Sequence, residues 1–169
     1  MAQTEEQTYE LIQIKSNFEI RYYPPAMMAE YNSQGDSSSG FGSLFRYISG
    51  SNASGTKINM TTPVHMEKQD KGNSMAFVLP KKFNPENTPI PKENKVSVYQ
   101  AQGGYYASIL YSGFTNTSKE KKYTAVLIQN LKEEGIKITG SPRVLVYDAP
   151  YKFINRRNEI LIPILWTSR

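Results

Sequence analysis

The sequence predicts an α+β fold built from a ββαββ unit that occurs twice. Its strands form a curled or barrel-like antiparallel sheet with two helices packed on it. Three observations lead there: two capped segments of helical periodicity, a set of short runs rich in β-branched and aromatic residues bounded by Pro and Gly, and the same order of elements before and after residue 90. Phe18–Tyr22 and Met27–Asn32 read as the opening strands, split by Pro24-Pro25 as a turn signal. A helix follows over about Ser38–Ser49. There Phe41, Leu44, Phe45 and Ile48 make one apolar stripe, the serines at 37–39 supply an N-cap, and Gly50 supplies a left-handed stop. Ile58–Met66 and Met75–Leu79 close the first half. Lys95–Ala101 and Tyr105–Ser112, separated by Gly103-Gly104, read as a hairpin that opens the second half. The second helix spans about Ser118–Glu134. A Thr117/Glu120 capping box starts it, Tyr123, Val126, Leu127, Asn130 and Leu131 form its inner face, and Gly135 ends it. Arg143–Tyr147 and Glu159–Leu165 are the last strands.

A chain of 169 residues is sufficient for one domain with a sizeable core. We expect a frayed polar tail over residues 1–7 and a single domain over 8–169, with pseudo-repeats at about 18–80 and 95–165 joined by a Pro- and Lys-rich connector at 81–94. With no cysteine, the chain has no disulfide, thiolate nucleophile, iron–sulfur cluster or zinc knuckle. Its compartment stays open: cytoplasmic, or periplasmic or secreted if a leader has been removed. No apolar run approaches the ~20 residues that cross a bilayer. The net charge of +5 favours anionic partners. It comes without an arginine-rich arm or an RNP-type aromatic motif, so nucleic-acid binding is not expected.

His65 is the only histidine, within Lys57-Ile58-Asn59-Met60-Thr61-Thr62-Pro63-Val64-His65-Met66. It is a haem-iron ligand, a general base, or a strand histidine with no chemistry. No Ser-His-Asp arrangement or clustered carboxylates accompany it. The Gly35–Gly42 segment lacks phosphate-loop order and reads as a cap and loop. In the segment from Tyr147 to Ile160, Lys152 between Tyr151 and Phe153 suits a flat anionic ligand, with rings for its face and an ammonium for a carboxylate. Arg156 and Arg157 read as residues that pin this loop to the sheet.

Four stretches together resemble the SOUL/haem-binding protein family: Phe18-Glu19-Ile20-Arg21-Tyr22-Tyr23-Pro24-Pro25-Ala26, Phe45-Arg46-Tyr47-Ile48-Ser49-Gly50-Ser51-Asn52, Lys57–Val64, and Asn155-Arg156-Arg157-Asn158-Glu159-Ile160. The resemblance spans about residues 8–165 and implies the duplicated α+β barrel. It also implies binding of haem or another tetrapyrrole through an apolar face near the first helix and the loop before the last strand, with basic residues on the propionates. Two family lysines fall on Arg46 and Lys152, and a third basic position falls near Ser38 and is lost. A histidine proposed as iron ligand in one branch falls on Tyr22, which would need a nearby cation such as Arg21 to act as a tyrosinate ligand. The function expected is therefore a non-enzymatic haem or tetrapyrrole carrier, buffer or sensor. Phe41, Phe45, Tyr151, Phe153, Arg46, Lys152 and Tyr22 are its binding residues, and His65 or Tyr22 is its candidate axial ligand. The alternatives are a protein-interaction module that takes a partner protein and, behind it, an enzyme acting on tetrapyrroles.

Overall fold

The structure, a computed structural model, describes residues 4–33, 40–69, 72–149 and 151–167. Thirteen elements follow one another: β1 (Glu5–Glu6), β2 (Glu10–Ile14), β3 (Glu19–Tyr23), β4 (Ala26–Asn32), α1 (Phe41–Ile48), β5 (Thr61–Thr62), β6 (Val64–Gln69), β7 (Gly72–Val78), β8 (Val96–Ala101), β9 (Gly104–Ser112), α2 (Thr117–Glu133), β10 (Arg143–Val146) and β11 (Arg157–Pro163). The fold is α+β, and the doubled ββαββ order is present, with β1 and β2 as additions the sequence did not announce and the expected strand Ile58–Met66 divided between β5 and β6.

The described residues form two compact units, one within 4–7 and 25–102, the other within 8–24 and 103–167. In the first, β6, β7, β4 and β8 are neighbours in one antiparallel sheet, and α1 packs on it through Leu44, Tyr47 and Ile48 against Ala29, Tyr31, Phe77 and Val96. In the second, β2, β3, β9, β11 and β10 are neighbours, again all antiparallel. Strand alternation buries both faces of this sheet. Ile20, Ile109, Ile160 and Ile162 meet Leu127 and Leu131 of α2, while Tyr23, Leu145 and Leu161 cluster with Tyr9, Tyr106 and Tyr147.

Strand pairing differs from the sequence expectation at both supposed hairpins. β3 pairs with β2 and β9, and β4 with β7 and β8. Consecutive prolines fix φ and hold the residue before each of them extended, so Tyr23-Pro24-Pro25 carries the chain onward instead of reversing it. Neither Gly103 nor Gly104 is among the glycines at positive φ, the conformation that a tight hairpin turn takes. At both places the chain passes from one unit to the other.

Residues 5–7 are not frayed. β1 pairs in parallel with β5, and the Gln7 N–H donates to the Thr62 carbonyl at 2.8 Å. Ser37–Ser39, read as the cap of α1, lie outside the described residues, as does Ser38 as the lost basic position. The N-cap of α1 is Gly40, in a left-handed conformation with φ 79°. α2 begins one residue earlier than read: Asn116 is its N-cap, and its side chain accepts from the Lys119 N–H at 2.9 Å.

Candidate functional site

The eight residues of α1 turn Ser43, Leu44, Tyr47 and Ile48 inward. The apolar stripe read from the sequence is therefore rotated, and Phe41 and Phe45 lie half exposed on the outer side. Their rings are near parallel at 15° with centroids 6.0 Å apart. Phe41 also meets Phe77 edge-on at 5.6 Å, which anchors the pair to the core. Exposed Gly42 and Arg46, one turn apart, complete this side of the helix. The Arg46 guanidinium donates to Ser43 Oγ at 3.0 Å, a partly buried contact, and meets the Glu93 carboxylate at 3.3 Å at the surface. α1 thus presents two flat rings beside a solvent-facing guanidinium, the surface chemistry that the apolar face and carboxylates of a porphyrin need.

Lys152, Tyr151 and Phe153 belong to the other unit, in the loop between β10 and β11. Arg156, almost buried, donates to the carbonyls of Ala149 at 2.6 Å, Lys152 at 2.8 Å and Asp148 at 3.3 Å. It also stacks on the Phe114 ring at 4.1 Å. Arg156 thus pins the loop, while the Arg157 guanidinium lies over the Tyr147 ring at 3.8 Å and pairs with Glu159 at 3.5 Å. Asp148 accepts from Lys152 Nζ at 2.6 Å and from the Arg157 N–H at 2.5 Å. Burial opposes its charge, and these hydrogen bonds prevail, holding its carboxyl below the usual range.

His65 lies on β6, 5% exposed, with Nε2 2.8 Å from Gln7 Oε1. Tyr22, on β3, packs its ring against Tyr105 at 5.1 Å. The cation expected to activate Tyr22 is engaged on the opposite face of the strand. Arg21 makes a two-pronged pair with Glu159 at 2.9 and 2.5 Å, donates to the Tyr23 hydroxyl at 3.0 Å and to Glu19 at 2.9 Å, and lies over the Tyr9 ring at 4.0 Å. Tyr147 donates to the same carboxylate at 2.5 Å. Burial disfavours both charges, yet the pairing overrides it, raising the Arg21 pKa and lowering that of Glu159. This cluster was missed in the sequence. The only signal was an arginine at the centre of one strand and a glutamate entering another, 138 residues away. Among the described residues no group of three or more His, Asp or Glu side chains is arranged to hold a metal ion.

Comparison with known proteins bears on this geometry. Human Heme-binding protein 2 is 27% identical over 159 residues, 85% of this chain and 76% of that protein. Among solved structures, the EcmrR C-terminal domain aligns with a TM-score of 0.64 at 13% identity, over 94% of this chain and 99% of that one. A hydrolase from Listeria innocua aligns with a TM-score of 0.62 at 11% identity, over 89% and 93%. At such identities these two likenesses concern the fold alone. The family described as SOUL heme-binding protein matches residues 4–163. With that match covering nearly its whole length, the chain belongs to the SOUL heme-binding family.

Proposed function

We propose that this protein binds haem or a related tetrapyrrole on the outer side of α1, as a carrier, buffer or sensor and without turnover. The observation that carries the reading is the exposed, near-parallel Phe41/Phe45 pair beside Arg46. A large flat apolar ligand gains from covering these rings at roughly 25 cal/mol per Å² of apolar surface removed from water. The Arg46 guanidinium offers a carboxylate a forked partner once it leaves Glu93, and that exchange is cheap because an exposed ion pair contributes only about 0–1 kcal/mol. Haem would supply the macrocycle and its propionates, and the protein holds them by stacking and charge, with no axial ligand from its own side chains. Ligation by His65 would require Nε2 to leave Gln7 and a 5% exposed ring to reach solvent. Membership of the SOUL family supports haem as the ligand class.

The test is a titration of the protein with hemin and, separately, with metal-free protoporphyrin. Binding held by face and propionates gives saturable one-to-one association for both, within a few-fold of each other, and the same in His65→Ala. A protein that takes hemin but not the metal-free ring would overturn the ligand-free reading. Binding of neither would overturn the function.

A further inference from the structure

Tyr151, Phe153 and Ile154, at 82, 77 and 74%, are the three most exposed large hydrophobic side chains among the described residues, and they share one loop. Scattered exposed hydrophobics are ordinary, but three at one tip, continued by exposed Phe114, form a patch. Phe153 meets Phe114 edge-on at 6.0 Å. The loop is built to hold this display. Arg156 ties three of its carbonyls, Asp148 anchors both Lys152 and the Arg157 N–H, and Asn155 takes the left-handed turn at φ 54°. Around the tip lie Lys152, Arg156 and Arg157 against the carboxylates of Asp148 and Glu159, in a chain of net charge +5.

We propose that the Tyr151–Ile154 tip docks the protein on an anionic lipid bilayer, with Tyr151, Phe153 and Ile154 entering the headgroup–acyl boundary and the exposed Lys152 ammonium facing the lipid phosphates. The form of the patch favours a bilayer over a small molecule. Binding pockets bury most of their ligand between walls, whereas side chains about three-quarters exposed project outward and suit a surface that they can enter. Aromatic rings with polar neighbours favour the membrane–water boundary. Basic residues near an anionic leaflet add about 1 kcal/mol each. Since Arg156 already orders the loop, docking has little chain entropy left to overcome.

The test is co-sedimentation of the haem-free protein with vesicles of phosphatidylcholine mixed with phosphatidylserine, beside vesicles of phosphatidylcholine alone. Wild type should bind the mixed vesicles, bind the neutral ones at least tenfold more weakly, and be released by high salt. Phe153→Ser/Ile154→Ser, with an unchanged thermal midpoint, should lose at least tenfold in vesicle affinity. Phe153→Trp should give blue-shifted emission on mixed vesicles only. Equal binding by the double variant, or sedimentation of wild type with neither vesicle, would overturn the proposal. Loss of hemin binding in the double variant would assign the tip to a tetrapyrrole instead of a bilayer.

Discussion

Arg21 and Glu159 place a full positive and a full negative charge at 3% and 1% exposure, tied by two hydrogen bonds. Such a pair adds little over an apolar pair of the same shape, but leaving one partner alone costs about 3–5 kcal/mol. Arg21→Met should therefore lower unfolding stability by about that amount in urea titration at neutral pH, and Arg21→Met/Glu159→Leu should recover much of it. The pH dependence has a definite sign. In wild type the Glu159 pKa is lowered, so its contribution is present above the unfolded glutamate value and is lost as pH falls through the folded one. In Arg21→Met the stranded carboxyl prefers its proton, so the deficit should shrink on acidification, and a deficit independent of pH would contradict this account. Burial pushes the Tyr47 hydroxyl up to about 12, and raises Tyr23 and Tyr147 too, the latter also through the Glu159 charge. These neutral tyrosines contribute fully below an unfolded value near 10, and stability should fall as pH rises through it. Alkaline melting curves check this directly.

At the scale of elements, capping chemistry separates what the sequence announces from what it conceals. The end of α2 at Gly135 and its inner leucines were readable because propensity, cap and periodicity agree there. Its start was displaced by one residue because Asn116 and Thr117 are both good caps, and only geometry chooses between them. Asn116→Ala should cost about 1 kcal/mol, clearly more than Thr117→Ala. Gly40 serves α1 differently: it sits at φ +79°, and a Cβ there would lie 2.1 Å from the Tyr31 ring. Gly40→Ala should therefore lose at least about 2 kcal/mol, from left-handed strain and the displaced tyrosine together. The stripe of Phe41, Leu44, Phe45 and Ile48 is split between two sides of α1, because periodicity groups apolar residues without saying which of them meets the sheet and which stays open to a ligand. The residues that join Leu44 and Ile48 inside are Ser43 and Tyr47. Ser43 is tied to the connector before β8 by its bond to Glu93, 2.7 Å away, and Tyr47 by its hydroxyl on the Pro89 carbonyl at 2.7 Å. Such partners lie dozens of residues away and leave no local trace.

Over the whole molecule, element order was legible and strand partnership was not. Turn residues act on their neighbours, whereas pairing is decided by distant strands, and here the chain leaves one unit for the other at both apparent hairpins. The candidate site was legible in part. The family motifs and the residues Arg46, Phe41, Phe45 and Lys152 could be named, but not their division between the two units or the burial of His65 beside Gln7. The likeness to a hydrolase and to the EcmrR C-terminal domain at identities of 11 and 13% concerns the fold, so function has to be argued from surfaces. The net charge of +5 draws carboxylate-bearing ligands toward the protein, and the outer side of α1 gives such a ligand both rings and a cation. Soret titration of wild type beside Phe45→Glu/Arg46→Glu tests this most directly, because both positions are exposed and the variant should fold. The account predicts at least a tenfold loss of hemin affinity at unchanged thermal stability, and an affinity equal to wild type would contradict it.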